Sequence, residues 1–152
     1  MLIALTTLSI GLFAGVMLTL VIILQRQWDQ QDQATYVPAF RSFLRVAKGN
    51  PVIAALTFAG FLGPFGLAAQ AYGVGSLGQA LWFGGAGAVF LIGCLGVTLR
   101  LNFPIYDRVM GWQTADDAQG WQEVRRRFFA LNGVRLGAAC ATFLLVMYGA
   151  LA

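Results

Sequence analysis

The chain has 152 residues, of which 59% are apolar types and 11% charged, against roughly 45–50% and 25% in a soluble domain. A water-soluble fold has too little interior for that much apolar surface, so composition excludes an ordinary soluble enzyme or binding module. The net charge of +4 does not make nucleic acid a partner, because the basic residues flank apolar stretches instead of gathering into a patch.

Leu2 to Leu24 contains 23 residues without a charge, a helix of about 34 Å at the usual rise, enough for a hydrocarbon core of about 30 Å. No basic residues precede it and it exceeds the apolar length of a cleaved leader, so it is read as a first span. The polar, low-complexity stretch Gln25 to Gln33 carries that helix into water. Tyr36 to Lys48 has an amphipathic pattern. Arg41, Arg45 and Lys48 recur at helical spacing, suited to anionic lipid headgroups or, alternatively, to gripping a substrate, while Phe40, Phe43, Leu44 and Ala47 face the bundle or lipid. Gly49 is placed to end this helix.

Asn50-Pro51 is a helix start, with Asn as cap and Pro at the first helical position, and the second span runs to about Tyr72. Pro64, flanked by Gly63 and Gly66, predicts a kink. Gly73 to Gly78 reads as a turn, and a third span follows over about 79–101. Thr114 and Asp117 suggest a capping box that opens a helix over about 115–151, long enough at about 55 Å for only 129–151 to lie in lipid. Arg135 then falls near the interface, where it can snorkel or pair. The expected fold is all-α: one domain over 1–152, a polytopic membrane four-helix bundle with spans near 2–24, 51–72, 79–101 and 129–151. Connections at 25–50 and 102–128 form amphipathic or extended cytoplasmic helical segments.

All ten basic residues belong to the first and third connections or their edges, and the second connection has none. The positive-inside rule therefore predicts both termini outside the cytoplasm, in a membrane of the bacterial inner-membrane type. Small residues offer close helix packing in lipid. Gly11 with Gly15, Gly84 with Ala88, and Gly133, Gly137 and Ala141 form such rows, read first as packing faces within the bundle and second as faces for membrane-protein partners.

Histidine is absent, which removes imidazole-ligated haem, the usual zinc and copper sites and histidine acid–base catalysis, so neither cofactor nor metal is expected. Cys94 and Cys140 form no C-x-x-C motif and read as packing residues. The richest polar pattern is on the last helix. Trp121, Arg125, Phe128, Asn132 and Arg135 follow at steps of four, three, four and three, one stripe of a helix. Asn102, Pro104, Tyr106 and Asp107 leave the third span at about the same depth. Together they would supply an aromatic wall (Tyr106, Trp121, Phe128), guanidinium groups for an oxyanion (Arg125, Arg135), amides (Asn102, Asn132) and a carboxylate base (Asp107), suited to enolate chemistry. The plainer reading is that Arg125 and Arg135 pair with Asp107 or carbonyls to tie helix ends.

The segment Asn102-Phe-Pro-Ile-Tyr-Asp107, with Trp121, Arg125, Asn132 and Arg135, resembles the C-terminal half of anthrone oxygenase-like membrane proteins, a family whose bacterial members are mostly a domain of unknown function. A weaker likeness extends to Gly15 and Asn50-Pro51. Tyr106 departs from the resemblance, which leads one to expect asparagine there. The resemblance implies four membrane helices and oxidation of anthrones to anthraquinones by molecular oxygen without metal or flavin, and Asn102, Pro104, Trp121, Arg125, Asn132 and Arg135 are the positions it carries over. Composition and spacing by themselves lean toward an accessory subunit of a membrane assembly, with a cofactor-independent oxygenase as the alternative and a small transporter or channel component as a third reading.

Overall fold

The computed structural model describes all residues from Met1 to Ala152 and contains five helices and no strand. Helix α1 covers Leu2–Asp29, α2 Gln33–Lys48, α3 Pro51–Gly73, α4 Leu77–Gly111 and α5 Trp121–Leu151. Four of them, all but α2, are long and apolar enough to cross a membrane. They close an up-and-down ring in which α1 packs on α3 and α5, and α4 packs on the same two.

Most of each span faces outward: Leu8, Ile23, Phe58, Leu62, Leu81, Ile92 and Leu144 are exposed on every side of the ring. In water such a belt would drive aggregation, so lipid is its solvent. The chain is an integral membrane protein, a helical bundle, as its composition implied.

The start of α3 follows its sequence signal, whereas α2 begins at Gln33, a turn earlier than the expected Tyr36. The Asn50 side chain accepts from Val52 N at 2.9 Å and Ile53 N at 3.2 Å, and Pro51 occupies the first turn of α3. Asp32 caps α2 by accepting from Thr35 N at 2.9 Å; these bonds hold its carboxyl below the usual range. Helix α3 remains continuous through Pro64. Thr114 and Asp117 do exchange hydrogen bonds, yet they close only a turn. Helix α5 begins at Trp121 rather than near 115, after Gly120 at φ 71°, a left-handed conformation that ends helical continuity and favours glycine.

Packing selects different glycines from those the small-residue rows suggested. A Cβ on Gly60 would lie 2.6 Å from the Phe90 ring, one on Gly63 2.5 Å from Thr6 Oγ1, and one on Gly87 2.8 Å from the Phe65 ring. Gly93 meets Ala138 in the same way, and Gly149 meets Trp82 and Phe83. By contrast Gly15, Gly84, Gly133 and Gly137 have open space at the Cβ position. A row identifies a helix face that permits close approach; which face is used depends on the bulky residue opposite, which no single-helix pattern contains.

Three segments depart from ordinary α-helix. Leu20–Leu24 in α1, and Leu91–Gly96 and Thr98–Asn102 in α4, form wide π-helical turns, a feature that concentrates at functional sites. The larger core cluster sits at the same end of the molecule, where α2 lays Tyr36, Val37, Phe40 and Leu44 against α4 and α5. This end also carries the charged connections and is called the charged end below; the end with the 74–76 turn is the bare end.

Candidate functional site

The stripe on α5 is real as a helix face, but its members reach two different places. Asn132 and Arg135 are buried inside the bundle. The Arg135 Nη1 donates to Asn132 Oδ1 at 2.9 Å, and Asn132 Nδ2 donates to the Phe128 carbonyl at 2.8 Å. The guanidinium lies 5.5 Å from the Phe13 ring centre and beside the Tyr106 hydroxyl. Cys94 Sγ donates to the Arg135 carbonyl at 3.3 Å and ties α4 to this point. Both cysteines are free, Cys94 buried and Cys140 exposed.

Above these groups is a cavity of about 430 Å³, within the usual range for small-molecule sites of about 300–1,000 Å³. Its walls are mainly apolar: Met17, Leu20 and Leu24 from α1, Ile53 and Phe58 from α3, and Leu95 and Phe103 from α4. The wide turns of α1 and α4 thus form two of its sides. Tyr106, Phe128, Asn132 and Arg135 supply its floor, and Lys48 its rim. Thr57 and Thr98 also line it, but their hydroxyls donate to the Ile53 and Cys94 carbonyls, each at 2.7 Å.

The electrostatics of Arg135 set it apart. The ion pairs are Lys48–Asp107, Arg125–Asp29 and Arg126–Glu123; Arg135 has no carboxylate partner, is 6% exposed, and its Nε has no hydrogen-bond partner. It does not snorkel to an interface. A buried guanidinium without a counter-ion is costly in lipid, which makes Arg135 a candidate functional residue. Asn102 adds a second unusual group, fully buried with both amide atoms unpaired, although it does not line the cavity.

Arg125, Trp121 and Asp107 do not join this site. Arg125 is directed at the end of α1, donating to the Trp28 carbonyl at 2.8 Å and lying 3.6 Å from Asp29. It stacks 4.8 Å from the Trp121 ring and 5.4 Å from the Tyr36 ring. Burial pushes the Tyr36 phenol above its ordinary range, against the opposing pull of Arg125, and its hydroxyl has no partner. Asp107 pairs with Lys48 at 3.1 Å with its own side chain 71% exposed. The reason is axial: Trp121 and Arg125 lie at the charged end of α5, about three to four turns from Arg135, where the helix meets the α1–α2 corner.

Sequence reasoning missed Phe13 as the ring under Arg135. The amphipathic pattern reads Lys48 first as a headgroup contact and alternatively as a substrate grip; it lines the cavity while pairing with Asp107. A broader concavity of about 730 Å³ lies beside Arg125, Arg126, Asp29 and Glu123. It is an open polar groove whose charges already pair with one another, so the cavity beneath α2 is the better candidate despite its smaller volume.

A four-span helical membrane protein with an apolar cavity and a buried cationic floor is the class these features define. Residues 39–145, most of the chain, match the family described as Anthrone oxygenase. The chain belongs to that family, the one its Asn102–Asp107 segment and last-helix stripe resemble. No curated protein and no solved structure shows significant similarity to it.

Proposed function

We propose that this chain is an oxygenase of a flat polycyclic phenol of the anthrone type, working inside the membrane, and that Arg135 stabilises the enolate from which the reaction proceeds. The carrying observation is the buried guanidinium without a counter-ion at the floor of an apolar cavity. A substrate that becomes anionic during the reaction supplies the missing charge, so the attraction is stronger in the transition state than in the neutral ground state. Asn132 fixes one edge of the guanidinium, Phe13 backs it from behind, and Phe128 lines the space a flat substrate would fill.

The chemistry balances without an added reductant. The methylene carbon of the anthrone loses a proton to give the enolate, which passes electrons to O2. Carbon–oxygen bond formation gives a hydroperoxide, and loss of the second hydrogen with O–O cleavage releases water and leaves a carbonyl. The substrate supplies all four electrons, one oxygen atom enters the quinone and the other leaves as water. No carboxylate lines the cavity, so on this reading the proton departs to water at the rim beside Lys48 and Asp107.

The test is oxygen uptake and quinone formation by the protein in lipid nanodiscs supplied with an anthrone. Arg135→Met removes a donor to a developing oxyanion and lowers kcat by roughly a hundredfold, with near-native helical content, whereas Asp107→Asn stays within about threefold of the parent. No uptake above an empty-nanodisc blank, or equal rates for the parent and Arg135→Met, refutes the reading.

On this reading the charged end faces the cytoplasm, by its excess of Arg and Lys, in a membrane of the bacterial inner-membrane type, and both termini lie outside. Arg41 and Arg45, with Lys48 at the edge of the same face, meet anionic headgroups. An accessory role is the second reading, favoured by the open space at Gly133 and Gly137, where another membrane helix can approach. A stoichiometric partner in native purification, with no turnover by the isolated chain, would decide for it.

A further inference from the structure

The cavity is not sealed, and the direction in which it opens follows from how α1 and α3 diverge. Near the bare end these helices are in contact, with Thr6 against Gly63 and Leu2 against Gly66. Toward the charged end they part. Val16 to Leu24 on α1 and Asn50 to Phe58 on α3 stand on opposite walls of the cavity, and the wide turn at Leu20–Leu24 falls in this stretch.

The edges of this gap are apolar and outward-facing. Val16 is 37% and Phe58 59% exposed, and Ala54 is exposed between them; all three also line the cavity. They belong to the belt that lipid covers. On the aqueous side, α2 forms a roof: Phe43 packs 5.3 Å from the Trp28 ring and 6.4 Å from the Phe128 ring, and Lys48 is tethered to Asp107. An apolar molecule approaching from water meets this roof, whereas one dissolved in the bilayer meets an apolar gap with a cation at its far side.

We infer that the cavity is loaded sideways from the lipid, through the gap between α1 and α3 bounded by Val16, Ala54 and Phe58, and that its ligand is a membrane-partitioned flat polycycle bearing one acidic oxygen. The ligand class rests on the function proposed above; the route rests on the geometry of the gap. Such a molecule leaves its apolar body in surroundings like those it came from and gains only the contact between its oxygen and Arg135. Affinity therefore comes from the polar floor and access from the walls.

The experiment uses the full chain in nanodiscs with Cys140→Ser and Ala54→Cys, a nitroxide label on residue 54, and a dihydroxyanthraquinone as an unreactive probe. Collision of the label with oxygen and with a water-soluble nickel chelate is read by electron paramagnetic resonance, beside a control label at Leu144→Cys. The expected result is high oxygen and low nickel accessibility at both positions, with the quinone lowering the value several-fold at 54 and leaving 144 unchanged. A label at 54 open to the nickel chelate, or unmoved by quinone in a protein that still turns over anthrone, overturns the lateral route and leaves the oxygenase reading standing. A label at 54 that behaves as expected in a protein without oxygen uptake upholds the route and overturns that reading. As a kinetic counterpart, Ala54→Trp narrows the gap and lowers kcat/KM about tenfold, more than it lowers kcat; a fall in kcat alone counts against the gap as an entrance.

Discussion

Replacing Arg125 by Met separates two roles that the sequence stripe merges. In the structure Arg125 fastens the end of α1 to α5: its side chain is 17% exposed, donates to the Trp28 carbonyl at 2.8 Å and stacks on Trp121 and Tyr36. A hydrogen bond from a charged donor contributes about 1.5–3 kcal/mol. Each cation–π contact at a partly exposed site adds about 0.5–1 kcal/mol. The Asp29 pair, with a carboxylate 51% exposed, contributes less than about 1 kcal/mol. Methionine keeps part of the stacking and water replaces part of the hydrogen bond, so the expected loss is about 2–3 kcal/mol. Unfolding by dodecyl sulfate titration in lipid micelles, followed by helical circular dichroism and by fluorescence, gives the stability. Oxygen uptake per folded molecule gives the activity and is expected to stay within about twofold of the parent. A midpoint that does not move, together with lost turnover, would show that Arg125 acts on the substrate after all.

Two further outcomes follow from the same packing. Tyr36→Phe removes a buried hydroxyl with no partner, so stability at neutral pH is unchanged or higher. Because burial raises the folded-state pKa of Tyr36, the phenol stays protonated in the fold while the unfolded chain ionises above about 10, so stability is unaffected below that value and falls as pH rises from there through the folded pKa. Unfolding midpoints measured above pH 10 should therefore fall less steeply in the Phe variant; parallel curves would contradict this. Gly60→Val forces a side chain into the Phe90 ring, which a Cβ already approaches to 2.6 Å, and costs about 1–3 kcal/mol. Gly137→Ala, with open space, is neutral or stabilising by up to about 1 kcal/mol. The reverse order in a heat-stability series would show that the helices pack on the other glycine face.

Helical membrane character, the number of spans, the existence of α2 and the start of α3 are legible along the chain. Long chargeless runs need lipid, an Asn-Pro pair starts a helix through atoms within three residues, and an amphipathic period marks α2. The start of α5 was less legible because Thr114 and Asp117 satisfy the same local bonds in a turn as in a helix cap. The candidate site was legible in half. Asn132, Arg135, Tyr106 and Phe128 share the cavity, but Arg125, Trp121 and Asp107 satisfy their side chains elsewhere, and Lys48 joins the cavity from a helix whose amphipathic period left bundle and lipid open as its apolar neighbour.

Sequence by itself determined that this chain is a bundle of four apolar helices with its charges gathered at one end, because hydropathy and helical period are properties of contiguous residues. Tertiary structure alone decided which arginine is buried without a counter-ion. That depends on what stands opposite each residue: Trp28 and Tyr36 meet Arg125, while Phe13, Asn132 and an apolar void meet Arg135. The same reason governs the glycines, since close approach is a property of two surfaces and each helix's sequence describes only one of them.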